Sequence, residues 1–212
     1  MKRITEQDIQ GMEKVFRLNL INSITGYKPA NLIGTAGTDG ETNLAIFSSV
    51  VHLGSNPPFI GMFTRPTTVP RHTYENIKAT GRYTINHVQT SIVAQAHYTS
   101  ADFPREESEF TACGLTPEYL NDFPAPYVQE SQIKMGLELV EEVAVKATGT
   151  IMLVGKVIDL YLPENLLRPD GTVDLNGAGD VAISGLDAYH TAQELAAYEY
   201  ARVGQGPREK AK

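Results

Sequence analysis

Cysteine is almost absent from this 212-residue chain. Cys113 stands alone, so no internal disulfide can form and no cysteine-rich metal site can be built. Positive charge is also scarce: 18 lysines and arginines against 25 aspartates and glutamates leave a formal net charge of -7. That balance argues against nucleic acid or an anionic membrane surface as the main partner. No apolar run approaches transmembrane length. The opening Met1–Asp8 has basic residues with no apolar stretch behind them, so neither a signal peptide nor an anchor is expected and the cytoplasm is the expected location. The five histidines, His52, His72, His87, His97 and His190, include no close pair at ligand spacing, and no metal is expected. No nucleophile elbow supports a serine hydrolase. Gly177-Ala178-Gly179 leads into a poor helix start, which speaks against a separate dinucleotide-binding domain.

What the chain does have is the composition of an ordinary globular protein, 42% apolar and 20% charged. One domain over residues 1–203 is expected, followed by a disordered tail over 204–212. Ile9, Met12, Phe16 and Leu20 are spaced as one face of a helix over Asp8–Leu20. Two β-branched runs flank Asp39-Gly40, a hairpin signal, with the second strand reading from Thr42 to Leu53. Pro57-Pro58 precedes a strand to Thr64. A helix from about Val69 to Thr80, capped by Thr67 or Thr68 and closed by Gly81, leads into a strand over Arg82–Val88. Short helices are expected at Thr90–Tyr98 and Glu106–Cys113. The longest β signal spans Val143–Leu162, with Gly149 and Gly155 as bulge candidates. Strands outnumber helices and a tight hairpin joins the first two. The expectation is therefore a mainly β chain: a closed or nearly closed antiparallel barrel with helices at its ends.

The stretch "FTRPTTVPRHTYENI", Phe63–Ile77, gathers two arginines and three threonines around a helix start. A helix N-terminus offers unpaired N–H groups and partial positive charge, and guanidinium matches phosphate bidentately. The residues alone leave two readings open: an anion seat, or capping threonines beside solvated arginines. Ser48 and Ser49 pose a similar choice in a run that otherwise reads as core. They either bond to backbone or sit beneath a flat ring.

"TNLAIFSSVVHLGSNPPFIGMFTRPTTVPRHTYENIKATGRYTINHV", Thr42–Val88, resembles the core of the flavin reductase-like, FMN-binding split-barrel family, in its flavoredoxin-type branch. The matches fall at Asn43, Ser49, Pro57, Pro58, Thr73, Asn76, Ile77 and Asn86, and the similarity extends from about residue 25 to 165. The resemblance implies a mainly β fold, an antiparallel split β-barrel of Greek-key type with peripheral helices, and bound FMN with its ring against Phe47, Ser48, Ser49 and Val50. It places the phosphate on Arg65, Thr67, Thr68 and Arg71, with Thr64 and Pro66 touching the ring or ribityl chain. It further implies NAD(P)H as electron donor, a homodimer whose partner subunit helps close the flavin site, and an NAD(P)H-dependent flavin reductase as the activity. An FMN electron carrier serving a redox partner protein is the alternative. No side chain is expected to act as acid, base or nucleophile, because the flavin carries the chemistry. Tyr189 lies where related chains carry an aromatic near the site, without an assigned role. His97 and Tyr98 could line a nicotinamide approach or simply end a helix, and Cys113 reads as a packed thiol.

Overall fold

The computed structural model describes residues 1–210. In chain order the elements are α1 (Glu6–Gly11), α2 (Lys14–Ser23), β1 (Lys28–Pro29), β2 (Asn31–Ala36), β3 (Thr42–Phe47), β4 (Val50–Ser55) and β5 (Pro58–Thr64). Then come α3 (His72–Thr80), β6 (Arg82–His87), α4 (Val93–Tyr98), α5 (Glu109–Cys113), β7 (Pro117–Glu118), β8 (Tyr127–Val128), β9 (Lys134–Val145), β10 (Thr150–Tyr161), β11 (Val181–Ser184) and β12 (Ala188–Thr191). Seven strands form one antiparallel sheet in the order β3-β2-β6-β9-β10-β5-β4. Its two edges, β3 and β4, are consecutive in the chain and joined only through Ser48 and Ser49. A sheet whose first and last strands are covalent neighbours must curl on itself, and where β3 and β4 share no ladder it stays open. The expected split barrel is what the chain forms.

The interior is filled by Ile33, Met62, Ile77, Tyr83, Ile85, Leu137 and Leu153, from five strands and α3. On the outer side of β2 and β3, Leu32 and Leu44 pack with Val88, Ile92, Ala96, Phe110 and Ile183. β2 is therefore buried on both faces along all six residues, which explains its lack of polar alternation. Each of these fully buried aliphatic side chains contributes about 1.5–3 kcal/mol relative to exposure.

Several boundaries differ from the sequence expectation. The helix predicted over Asp8–Leu20 breaks at Met12–Glu13, where the Glu13 carboxylate turns back to accept from the N–H groups of Val15 and Phe16. Neither half contains a buried residue, and Phe16 is 60% exposed. The run Val143–Leu162 is not one strand: β9 turns into β10 through residues 146–149, and Gly149 (φ 72) supplies the turn, not a bulge. Gly155 does sit at a register shift. Residues beyond Gly204, expected as a tail, bond back through Glu199 N–H to Arg208 O (2.9 Å) and Lys210 N–H to Ala197 O (2.8 Å); 211 and 212 lie outside the described residues.

Buried polar groups pin the helices to the barrel. The Asn43 amide donates to Thr73 Oγ1 (3.0 Å) and the Asn76 amide to Thr35 Oγ1 (3.1 Å), fixing α3 against β2 and β3. Asn86 donates to Leu32 O and accepts from Val128 N–H. Glu109, at the start of α5, accepts from Leu44 N–H at 2.8 Å while only 6% exposed. Burial raises its pKa; the Leu44 bond and nearby His72 pull the other way.

Two predictions follow from this packing. A Cβ on Gly155 would drive into the Tyr83 hydroxyl and lie 2.9 Å from Leu137 Cδ2. Gly155→Ala should cost about 1–3 kcal/mol in urea unfolding. Tyr83→Phe, which deletes the obstructing and unpartnered hydroxyl, should recover part of the loss, and simple additivity would refute the clash. Glu109 has a folded pKa above its unfolded value, so its charged form opposes folding and stability should fall as pH rises from its unfolded pKa through the folded one. Glu109→Gln, whose amide oxygen still accepts from Leu44, should flatten that slope in urea melts between pH 4 and 7.

Candidate functional site

The two groups of residues predicted to touch a cofactor come from different parts of the chain, and the fold brings them together. The strand expected over Thr42–Leu53 is interrupted: Ser48 and Ser49 form the crossing from edge β3 to edge β4. Phe47, Ser48, Ser49 and Val50 are all half-buried there. Among the described residues no strand pairs with the outward edges of β3 and β4, although Glu109 takes the Leu44 N–H on the β3 edge. Beside the crossing, Val50 pairs with Met62, and the Ser49 hydroxyl donates to Phe63 O (2.8 Å) while accepting from Phe63 N–H (3.2 Å). Those bonds clamp the crossing to β5, whose last residue, Thr64, is buried and opens the arginine- and threonine-rich loop. The clamp is the backbone-bonding role that buried serines commonly take, and it sets the distance between the two predicted groups.

The loop differs from expectation in a way that frees its donors. α3 begins at His72 rather than Val69, with Arg71 as N-cap residue and no side-chain cap. Pro70 lacks an N–H and fixes its own φ, so the chain turns before the helix begins. Thr67 and Thr68 are consequently not caps; they stand exposed in the loop with Arg65, while Pro66 and Arg71 are half-buried. Arg71 donates through Nε to Pro66 O (3.4 Å), and its backbone N–H donates to the Glu75 carboxylate (3.1 Å). Neither Arg65 nor Arg71 forms an ion pair among the described residues, although six other cationic side chains do, as does His87. On a chain of net charge -7, two unneutralised guanidiniums beside an uncapped helix start make a local seat for an anion.

Sequence reasoning missed what holds this seat. Glu75 is engaged by Arg105 (2.9 Å), which also donates to Asn76 Oδ1 (3.1 Å). The 99–108 loop thereby pairs the Glu75 carboxylate of the first turn of α3, which forms no ion pair with Arg65 or Arg71. An arginine 29 and 30 residues from its partners leaves no local pattern to find.

On the other side of β3, His97 Nδ1 and the Tyr189 hydroxyl are 3.1 Å apart, with the rings edge to face at 5.7 Å. Tyr189 packs with Val93 against the same cluster as Ile46, next to Phe47, and burial pushes its pKa up to about 12. Cys113 is buried and its thiol is raised to about 11, first by burial and then by Glu109 and Glu107, so it stays protonated and inert. Among the described residues, no group of three or more His, Cys, Asp or Glu could hold a metal ion. An open cleft of about 570 Å³ is lined by Glu118, Leu120, Lys134, Tyr161 and Leu162, and none of the predicted residues borders it.

Comparison with known proteins agrees with this geometry. The family model described as "Flavin reductase like domain" matches residues 27–178. A split-barrel protein of Shewanella frigidimarina NCIMB 400 that carries a provisional flavin reductase name superposes with a TM-score of 0.92 at 50% identity, over 95% of this chain and 100% of the other. Flavoredoxin of Desulfovibrio vulgaris (Miyazaki F) gives 0.72 at 27% identity, over 85% and 94%. A protein of Aquifex aeolicus (strain VF5) without an assigned function is 30% identical across 66% of this chain and 74% of its own length. The chain belongs to the flavin reductase-like family of split-barrel proteins.

Proposed function

We propose that the seam holds FMN and that the protein is an NAD(P)H-dependent flavin oxidoreductase. The observation that carries this reading is the pair of uncompensated guanidiniums, Arg65 and Arg71, set by the Ser49–Phe63 clamp beside the open strand edge. In this reading Arg65, Thr67, Thr68 and Arg71 hold the phosphate. Phe47, Ser48, Ser49 and Val50 support the ring, and Thr64 and Pro66 touch the ring edge or ribityl chain. FMN would supply hydride acceptance and onward electron transfer. The chain's own contribution is positional and electrostatic: charge-assisted bonds fix the tail, and main-chain donors at the strand edge favour negative charge on the ring. No side chain need transfer a proton. The nicotinamide donor approaches the exposed side of the seam, because no separate dinucleotide motif exists. The protein works as a homodimer, with the partner helping to close the site, in the cytoplasm; no described helix is long and apolar enough to cross a membrane.

The similarity to a flavoredoxin favours a second reading, in which FMN passes electrons between proteins and nicotinamide is not the donor. Anaerobic stopped-flow mixing separates the two: rapid bleaching of bound flavin by NADH or NADPH supports the reductase, whereas bleaching only by a partner reductase supports the carrier.

Arg65→Ala or Arg71→Ala should weaken FMN binding by about 1–3 kcal/mol each in fluorescence titration, the scale for losing a charged hydrogen-bond partner. Unchanged affinity in the double variant would remove the phosphate assignment. Ser49→Leu should abolish flavin uptake with an intact circular dichroism spectrum. Ser49→Ala, which deletes only the clamp to Phe63, should retain part of the binding; equal loss in both would shift the cause from ring docking to the clamp.

A further inference from the structure

One chain alone exposes far more surface than its mass calls for. Its accessible area is 13085 Å² for 23.2 kDa, whereas a compact monomer of that mass exposes about 9,700 Å². The excess, about 3,400 Å² per chain, is more than the roughly 1,000–2,500 Å² per partner that obligate interfaces commonly bury. Exposed apolar side chains lie along and just after α2 and in two further concentrations, one on the sheet and one near the C-terminus. Val143, Met152 and Phe63 stand in one row across β9, β10 and β5, and Val51 and Leu53 flank Gly61 on the same face; all but Met152 and Gly61 rank among the exposed large hydrophobics. The second concentration is the C-terminal ribbon. Leu195, Tyr200 and Val203 are 91%, 90% and 106% exposed, and every described residue from Tyr198 onward is exposed. The ribbon nonetheless folds back on itself, through the Tyr198–Glu209 bridge and the backbone bonds around it. An isolated two-stranded hairpin is marginal in water without a surface to lie on.

The ribbon does not reach the sheet patch of its own chain. It is tethered by Arg168–Glu194 (2.9 Å) and Lys210–Asp170 (2.8 Å) just beyond Tyr161, at the end of β10. The patch lies at the other end of that strand, around Met152, about 30 Å away at the rise of an extended chain. A two-fold axis crossing the β9–β10 hairpin would bring the ribbon end of one copy over the patch end of the other.

We infer that the C-terminal ribbon, Leu195–Val203, is a strap that packs against a second copy of this chain and covers the apolar sheet face beside that copy's seam. The inference rests on the two-copy reading above but is independent of FMN. The chain contains no tryptophan, so Tyr200→Trp provides a single probe. Sedimentation velocity on flavin-free protein should show a dimer. The probe should emit at short wavelength, shielded from acrylamide, and shift to solvent-exposed emission when dilution separates the copies. A dimer whose probe emits as in water overturns the strap and leaves the two-copy reading standing; a monomer at every concentration overturns both. Replacing Leu195, Tyr200 and Val203 together by Ser touches side chains that a lone chain leaves in solvent, so the fold should be retained by circular dichroism. The dimer dissociation constant should rise tenfold or more, and an unchanged constant counts against the strap.

Discussion

The constraint on which the rest depends is the two-residue crossing at Ser48–Ser49. Because β3 and β4 are the opposite edges of one seven-stranded sheet, a link this short forces the sheet to close without allowing its edges to pair. An unpaired edge is normally a hazard, since it presents a row of free donors and acceptors. In the proposed reading this edge is the shelf for a planar ligand, and the Ser49 bonds to Phe63 fix it relative to the loop after β5.

Electrostatics then decides which ligand the shelf can take. The chain as a whole repels anions, so attraction must come from a few charges kept unneutralised at close range. The carboxylate best placed to neutralise them, Glu75, is held by Arg105 and by the Arg71 main chain. Without that arrangement Glu75 could reach for a guanidinium in the same loop, and the positive potential would collapse into a surface ion pair of little worth. In the proposed reading the anion seat depends on Arg105, a residue outside the set that would touch the anion.

Much of this was legible in the sequence because it is local. The Asp39-Gly40 hairpin, the Gly81 helix stop and the strand after it follow from turn and capping chemistry within a few residues. The loop proposed for the phosphate stands out because arginine and threonine cluster in one short span. Elements set by distant partners could not be read. Nothing near Ser48 announces that the strand ends there, since the break exists only because β3 and β4 take opposite edges. The apolar face over Asp8–Leu20 has ideal spacing yet buries nothing within the chain, for Glu13 captures the N–H groups of Val15 and Phe16 and splits the helix. α3 starts three residues later than expected because Pro70 turns the chain ahead of it, which leaves Thr67 and Thr68 in the loop instead of at the cap.

The filled interior has one more consequence. Tyr83, Leu137, Leu153 and Met62 occupy the barrel so fully that Gly155 must lack a side chain to admit the Tyr83 ring. A cofactor cannot enter such a core, so any site must lie on the outside, along the seam. A flavin laid on an outer seam is wet on one face, and water competes with each main-chain donor that would stabilise its reduced form. Such a site works only when something large covers it. One chain leaves bare both the apolar face next to the seam and a folded-back ribbon with nothing to lie on. Under the proposed FMN reading, an architecture that keeps a cofactor out of the core leaves the seam to be covered by a second copy, which carries exposed apolar surface at both ends of its longest strands.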